Sequence, residues 1–285
     1  MPAGQPFTTL CQVAIRGRQH GRSDLHLHTT CSDGLYTPQQ LVDLARRTGL
    51  AAIAVTDHDT LEGVPAARAA AAGSGVEVIA GVEITASYAG REVHLLAYFL
   101  DGDGSALATA LAELRHDRCE RFLAMVERLR GRGVSIEPGA LPPAPGRRHL
   151  AELLVRAGKV GSVREAFSRF LRDGGPADVP KRGLPAEEAL ALVRQAGGVA
   201  ARAHPSYHSW REDLAAMQDL GLRAVEVEYP GVKRHFARQL RAWAAERGLA
   251  VTGGSDCHGP GGHAPGSWSV SALELAALRQ MAGGG

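Results

Sequence analysis

The chain lacks the features that would place it in several common classes. It has four cysteines in 285 residues (Cys11, Cys31, Cys119 and Cys257), none in a Cys-x-x-Cys spacing. Neither a thiolate zinc site nor a disulfide framework is therefore expected, and a reducing cytoplasm is the default compartment. No apolar run reaches the roughly 18 residues of a membrane span. Residues 1–22 have no continuous apolar stretch of the secretory kind and read as a frayed N-terminal extension. An excess of charge is missing too: 32 Lys and Arg against 30 Asp and Glu leave +2 with histidines neutral, too balanced for bulk nucleic-acid binding. There is no Gly-x-Ser-x-Gly nucleophile elbow, no P-loop signature and no internal repeat.

What is present is a soluble, globular composition, 45% hydrophobic and 22% charged, organised around Asp24-Leu25-His26-Leu27-His28. Apolar and polar residues alternate there, as in a strand with one polar face. Residues two apart in a strand point the same way, so Asp24, His26 and His28 are expected on that face. Two imidazoles aimed at one point suit a divalent metal such as zinc or manganese. The plainer alternative is a pair of exposed histidines on an edge strand. Against it stand further ligand types at the ends of other predicted strands.

Thr37-Pro38-Gln39-Gln40 opens a helix with Thr37 as N-cap and Gln40 closing a capping box. The strand Ala51 to Thr56 delivers Asp57-His58-Asp59. The strand Val76 to Ile84 carries Glu83, whose apolar neighbours leave the carboxylate in need of a partner. Ala89-Gly90 reads as a hairpin turn. If Tyr88 and Arg91 flank it, Thr85 pairs with His94, and Glu83 becomes a diagonal neighbour of His94 on one face. From Asp101 the pattern turns helical and basic, with Arg115, Arg118, Arg121, Arg128, Arg130 and Arg132, a proline-rich linker from Pro138 to Pro145, and a helix opened by Arg147-Arg148-His149. Residues 101–184 are expected to form a helical insertion domain between two parts of a barrel, 23–100 and 185–285. The α/β rhythm resumes in the second part. The strand Val199 to Ala203 delivers His204, and Leu249 to Gly253 delivers Ser255-Asp256-Cys257-His258. Seven strands with polar clusters at their C-terminal ends favour an α/β barrel over an open doubly wound sheet, because a barrel brings many strand ends to one mouth.

The candidate ligands are His26, His28, Asp33, His58, Glu83, His94, His204, Asp256 and His258: six imidazoles and three carboxylates, enough for two or three divalent ions. Three such ions would bring +6 against −3. They would attract a phosphate dianion and lower a bridging water towards a pKa of ~7, giving metal-bound hydroxide as nucleophile. Metal-assisted phosphoester hydrolysis follows. Asp24, Asp57 and Asp59 are expected to orient imidazoles rather than bind metal. His20, His116, His208, His235 and His263 are expected at the surface, and Cys257 in packing.

These motifs resemble the PHP (polymerase and histidinol phosphatase) superfamily. The resemblance is carried by Asp24 to His28, Thr56-Asp57-His58-Asp59-Thr60, Gly81-Val82-Glu83, His94, Ala203-His204-Pro205 and Gly254 to Gly259, and spans roughly residues 23–262. It implies a distorted seven-stranded βα barrel and three metals, manganese first, with iron or zinc as alternatives. His26, His28, Glu83 and Asp256 would hold the first. Glu83 would bridge to a second, held also by His94 and His204. Asp33, His58 and His258 would hold the third. Asp33 stands where many members have histidine, and in Ser-Asp-Gly it is similar to the branch of nucleoside 3′,5′-bisphosphate phosphatases and 5′-to-3′ exonucleases on short RNA. Arg147-Arg148-His149 resembles that branch's Arg-Pro-His segment, with Arg148 in place of proline. By this resemblance Arg115, Arg118, Arg121, Arg147, Arg148 and His149 would grip a second phosphate; the alternative for the helical arginines is a solvated face paired with Glu113, Glu120 and Glu127. The expected substrate is a small phosphorylated nucleotide or short 5′-phosphorylated RNA, with no membrane and no protein partner. Histidinol-phosphate hydrolysis, amidohydrolysis and a non-catalytic metal-bound interaction module are the alternatives.

Overall fold

The computed structural model describes residues 21–100 and 105–282. The expectation for residues 1–22, with Cys11 and His20, falls almost wholly outside them.

Seven strands lie side by side: β1 (Ser23–Leu27), β2 (Ala52–Val55), β3 (Glu77–Tyr88), β4 (Arg91–Tyr98), β6 (Val199–Arg202), β7 (Ala224–Glu228) and β8 (Ala250–Gly253), with the two-residue β5 (Leu184–Pro185) beside β3. The β3–β4 and β4–β6 pairs are antiparallel and the others parallel. β8 returns to β1 through the His28 N–H, which donates to the Cys257 carbonyl at 3.1 Å, so the sheet is a nearly closed barrel as expected. Gly254 is needed at this seam: a Cβ there would meet the His26 backbone nitrogen at 2.5 Å or less.

Small residues make so narrow a barrel. Ala52, Ala54, Ala201, Ala203, Ala224 and Ala250 join Leu25, Ile79, Leu96 and Tyr98 in one buried cluster drawn from every barrel strand. The outer faces are covered by α1 (Pro38–Arg47), α2 (Gly63–Ala71), α6 (Ala186–Gln195), α7 (Trp210–Asp219) and α8 (Arg234–Arg247), whereas α9 (Ala272–Ala282) sends Leu275 and Leu278 into the inner cluster itself. Thr37 caps α1 through the expected capping box with Gln40. The hairpin turns at Ala89 and Gly90, both with positive φ, and pairs Tyr88 with Arg91 and Thr85 with His94.

Between β4 and β5 run α3 (Ala106–Arg130), α4 (Arg147–Arg156), α5 (Val163–Ala166) and a π-helical turn, Phe167–Leu171. At 25 residues α3 is about 37 Å long. Its first half sends Leu107, Leu111 and Leu114 into the apolar layer outside the barrel. Its second half sends Phe122, Met125, Val126 and Leu129 into a separate cluster with Leu150, Leu154 and Leu171. The arginines between these halves lie where the helices meet the barrel mouth.

Candidate active site

All nine candidate ligands meet at the C-terminal mouth of the barrel. Glu83, 1% exposed, is at the centre. Its Oε2 lies 3.4 Å from His26 Nε2, 3.3 Å from His28 Nε2 and 3.1 Å from His58 Nδ1. Its Oε1 lies 2.8 Å from His94 Nδ1 and 3.0 Å from His204 Nε2. Asp256 Oδ1 stands 3.4 Å from His26 Nε2 and 3.2 Å from His28 Nε2. On the far side Asp33 Oδ1 is 3.2 Å from His258 Nε2, and its Oδ2 is 3.8 Å from His58 Nε2.

Donor atoms within 4.8 Å of one another form three overlapping groups: His26, His28, Glu83 and Asp256; His28, Asp33, His58 and His258; and His58, Glu83 and His94. The first group is the one expected. The other two differ slightly from expectation, because His28 and His58 each face two groups. His204 approaches Glu83 from the rim, with its side chain 34% exposed.

A divalent metal fits this donor set. His26 Nε2, both ring nitrogens of His28, His58 Nδ1 and Asp33 Oδ1 are buried without a hydrogen-bond partner. Groups this polar are rarely left so unless something else satisfies them. Burial works against charge on Glu83, but His58, His94 and His26 hold its carboxyl well below the usual range. Asp33 is likewise depressed, against burial, by His258 and His58. Burial opposes charge on His28 as well, yet Asp256 and Glu83 carry its pKa up to about 10. The site is thus a set of ionised carboxylates attracting positive charge. His204 and Asp256, at the ends of β6 and β8, both adopt positive φ, which bends the chain so their side chains turn into the mouth.

The residue that orients the imidazoles is one the sequence did not single out. Glu226 on β7 is fully buried. Its Oε1 lies 3.0 Å from His26 Nδ1, and its Oε2 accepts the His204 backbone N–H at 2.7 Å. Holding the proton on His26 Nδ1 leaves the Nε2 lone pair facing Glu83 and Asp256, as a metal ligand requires. Glu92 does the same for His94 from 2.9 Å, and is steadied by Lys181 at 2.8 Å. The signal was available: Val225-Glu226-Val227 repeats the buried-carboxylate pattern of Val82-Glu83-Ile84.

The expectation for the three aspartates needs correcting. Asp24 accepts the backbone N–H groups of Ser255 and Gly266 at 2.9 and 2.7 Å. The β1–β2 register shifts between Asp24 and Leu27, so strict alternation does not carry Asp24 into the cluster. Asp57 binds the Thr29 N–H and the Thr29 and Ser32 hydroxyls. Asp59 binds the Thr85 N–H and hydroxyl and pairs with Arg118. All three brace loops around the mouth, and none orients an imidazole.

The predicted phosphate-gripping residues lie close by, each with a protein partner. Arg118 is buried, bonding Asp59 through Nε and Thr85 Oγ1 at 2.8 Å through Nη2. Arg115 reaches the Asp59 carbonyl at 3.3 Å, and Arg121 the Val179 carbonyl at 2.7 Å. The glutamates expected to pair on a solvated face, Glu113, Glu120 and Glu127, are not their partners. Arg147 bonds the Leu171 carbonyl at 3.3 Å and pairs with Asp173. Arg148 sits 3.3 Å from Glu152, and His149 Nδ1 accepts the Gly146 N–H at 3.2 Å. The first turn of α4 abuts the site, since a Cβ on Gly146 would lie 3.2 Å from Asp33 Oδ2. His116, His208, His235 and His263 are exposed as expected, and Cys257 is buried in an apolar cluster.

Residues 24–129 match the PHP domain family. Over 84% of its length the chain is 32% identical to the 3′,5′-nucleoside bisphosphate phosphatase of Chromobacterium violaceum, covering 87% of that protein. The chain belongs to the PHP family. It is 33% identical, again over 84% of its length and 90% of the relative, to a 5′-3′ exoribonuclease of Haemophilus influenzae. A candidate metal-dependent phosphoesterase from Bifidobacterium adolescentis has the same fold, with a TM-score of 0.83 and 32% identity over 91% of this chain and 96% of that one. This PHP protein is a phosphoesterase, a metal-dependent hydrolase with several His, Asp and Glu groups able to bind metal. Among the described residues no helix is long and apolar enough to cross a membrane.

Proposed function

We propose that this PHP phosphoesterase removes one phosphate from a nucleoside 3′,5′-bisphosphate, converting adenosine 3′,5′-bisphosphate to AMP. The observation that carries the proposal is the position of α4. Its N-terminal turn, bearing Arg147, Arg148 and His149, rests against Asp33 at the edge of the donor cluster. A second phosphate held there by charge-assisted hydrogen bonds would lie beside the donor cluster, on the Asp33 side. We take residues 101–184 as the insertion that supplies this grip, and 23–100 with 185–285 as the barrel.

His26, His28, Glu83 and Asp256 would hold one metal, Glu83, His94 and His204 a second, and Asp33, His58 and His258 a third, with manganese the first choice and iron or zinc acceptable to the same donors. Such ions supply Lewis acidity and a source of hydroxide at neutral pH. The chain's own contribution is positional. Glu83 offers one oxygen to each side of the cluster, Glu226 and Glu92 fix imidazole tautomers, and the Arg118–Asp59 pair locks α3 over the mouth. Arg148 and His149 are the groups best placed to meet the second phosphate, and Arg115, Arg121 and Arg147 would extend that basic wall. The expected compartment is the cytoplasm.

The second reading is a 5′-3′ exonuclease on short 5′-phosphorylated RNA, favoured by the exoribonuclease among the relatives. Comparing kcat/KM for adenosine 3′,5′-bisphosphate with that for a 5′-phosphorylated trinucleotide separates the two. A preference for the mononucleotide supports the proposal, and a preference of tenfold or more for the trinucleotide replaces it with the exonuclease. Chelation followed by restoration with manganese, iron or zinc, together with metal content per chain, identifies the ions.

A further inference from the structure

Beside the donor cluster, on the side away from α4, is a cavity of about 650 Å³ that no step described so far uses. His204 belongs to both: its Nε2 faces Glu83, and the residue also lines the cavity. The remaining wall is dominated by Pro205, Tyr207, Tyr229, Val232 and Phe236. Tyr229 is locked in place by its hydroxyl, which donates to the Pro205 carbonyl at 2.6 Å. Phe236 is buried and held edge-to-face against Trp210, with ring centroids 5.6 Å apart. Tyr207 is different. Its ring stands roughly perpendicular to Phe236 at 5.1 Å, to His235 at 5.8 Å and to His208 at 6.4 Å, yet it is 54% exposed, a large aromatic ring presented at the cavity edge.

We infer that this cavity is the nucleobase pocket, with Tyr207 as the stacking platform. The inference rests on the nucleotide reading above and adds where the base goes. Perpendicular neighbours hold the tyrosine while more than half of its surface stays exposed, and any base can stack on an exposed aromatic face. The volume lies within the range of small-molecule sites, which is roughly 300–1,000 Å³. His204 is shared between the cavity wall and the donor cluster, so a nucleotide with one phosphate at the cluster would have its base near this cavity. Lys233 and His235 add polar groups at the lining for the base edge or sugar. Because the contact is mostly stacking, the pocket is expected to accept purines over pyrimidines by ring area, with little reading of the base edge.

The test compares adenosine 3′,5′-bisphosphate with its base-free analogue, 1-deoxyribose 3,5-bisphosphate, on the metal-loaded full-length enzyme. In Tyr207→Ala the ratio of kcat/KM for the nucleotide to that for the base-free analogue should fall roughly 5- to 100-fold, mainly through KM. Tyr207→Phe should keep the ratio within about twofold of wild type. Calorimetric titration with AMP should show the same weakening in Tyr207→Ala and recovery in Tyr207→Phe. If wild type hydrolyses the nucleotide but Tyr207→Ala leaves the ratio unaltered, or loses both substrates equally, the pocket is wrong and the bisphosphatase stands. If wild type does not hydrolyse the nucleotide at all, both fall together.

Discussion

Replacing Glu226 should separate metal binding from folding. In Glu226→Gln the side-chain shape is kept, but the amide cannot accept from both partners. If its oxygen receives the His204 N–H, its NH2 faces His26 Nδ1 and forces the ring proton onto Nε2, the nitrogen that points at Glu83 and Asp256. If the amide turns over, its NH2 opposes the His204 N–H instead. Loss of such an orienting group typically weakens metal affinity 10- to 100-fold, or about 1.4–2.7 kcal/mol. Glu226→Ala should show a similar affinity loss plus a cost in stability. It strands two buried groups, each worth about 1–3 kcal/mol when left unpaired, so a fall of about 2–6 kcal/mol is expected. Chelator competition reads the metal affinity, and denaturant melts of metal-free protein read stability. Unchanged metal affinity in Glu226→Gln, alongside a clear loss in His26→Ala, would refute the orienting role.

Three further outcomes follow from the packing. Arg118→Met should lower unfolding stability by about 3–5 kcal/mol, because it leaves Asp59 buried without its cation; a loss under 1 kcal/mol in a denaturant melt would show the pair to be dispensable. Gly254→Ala should lower both the melting temperature and metal content, since its Cβ would collide with His26 at the β8–β1 seam; wild-type values for both would contradict the close approach. Burial would raise the Glu274 carboxyl, but the Ser271 N–H and Arg241 win and hold it below its usual 4.5. A depressed carboxyl stabilises the fold above its unfolded pKa and loses that contribution as pH falls through the folded value. Glu274→Gln should therefore be less stable than wild type by up to about 1 kcal/mol at neutral pH, and the two should converge as the pH falls through the depressed folded value; a gap independent of pH would remove the ionic contribution.

Much of the site was legible because its ligands follow local patterns. His26 and His28 are two apart at the end of β1, Glu83 and His94 are linked by a hairpin whose turn residues set the register, and His204, Asp256 and His258 follow short apolar strands. Glu226 shows where that legibility ended. Its local pattern matched that of Glu83, but its partners lie on β1 and just after β6, and only the closed barrel brings them together. Asp24 was misplaced because a register shift breaks the alternation from which its direction was read. Arg118 repeats with Arg115 and Arg121 every three residues, as a phosphate grip would, yet folding spends it on Asp59, 59 positions away. Tyr207 carried no signal in its own neighbourhood. The cavity beside it forms from the loops after β6 and β7 together with the start of α8.

The most direct measurement is product analysis after incubating the manganese-loaded enzyme with adenosine 3′,5′-bisphosphate. AMP and inorganic phosphate in equal amounts are expected, which would put the 3′ phosphate at the donor cluster and the 5′ phosphate under α4. Adenosine 3′-monophosphate as the product would reverse that placement. No phosphate release from a protein with its metals bound would contradict the bisphosphatase assignment itself.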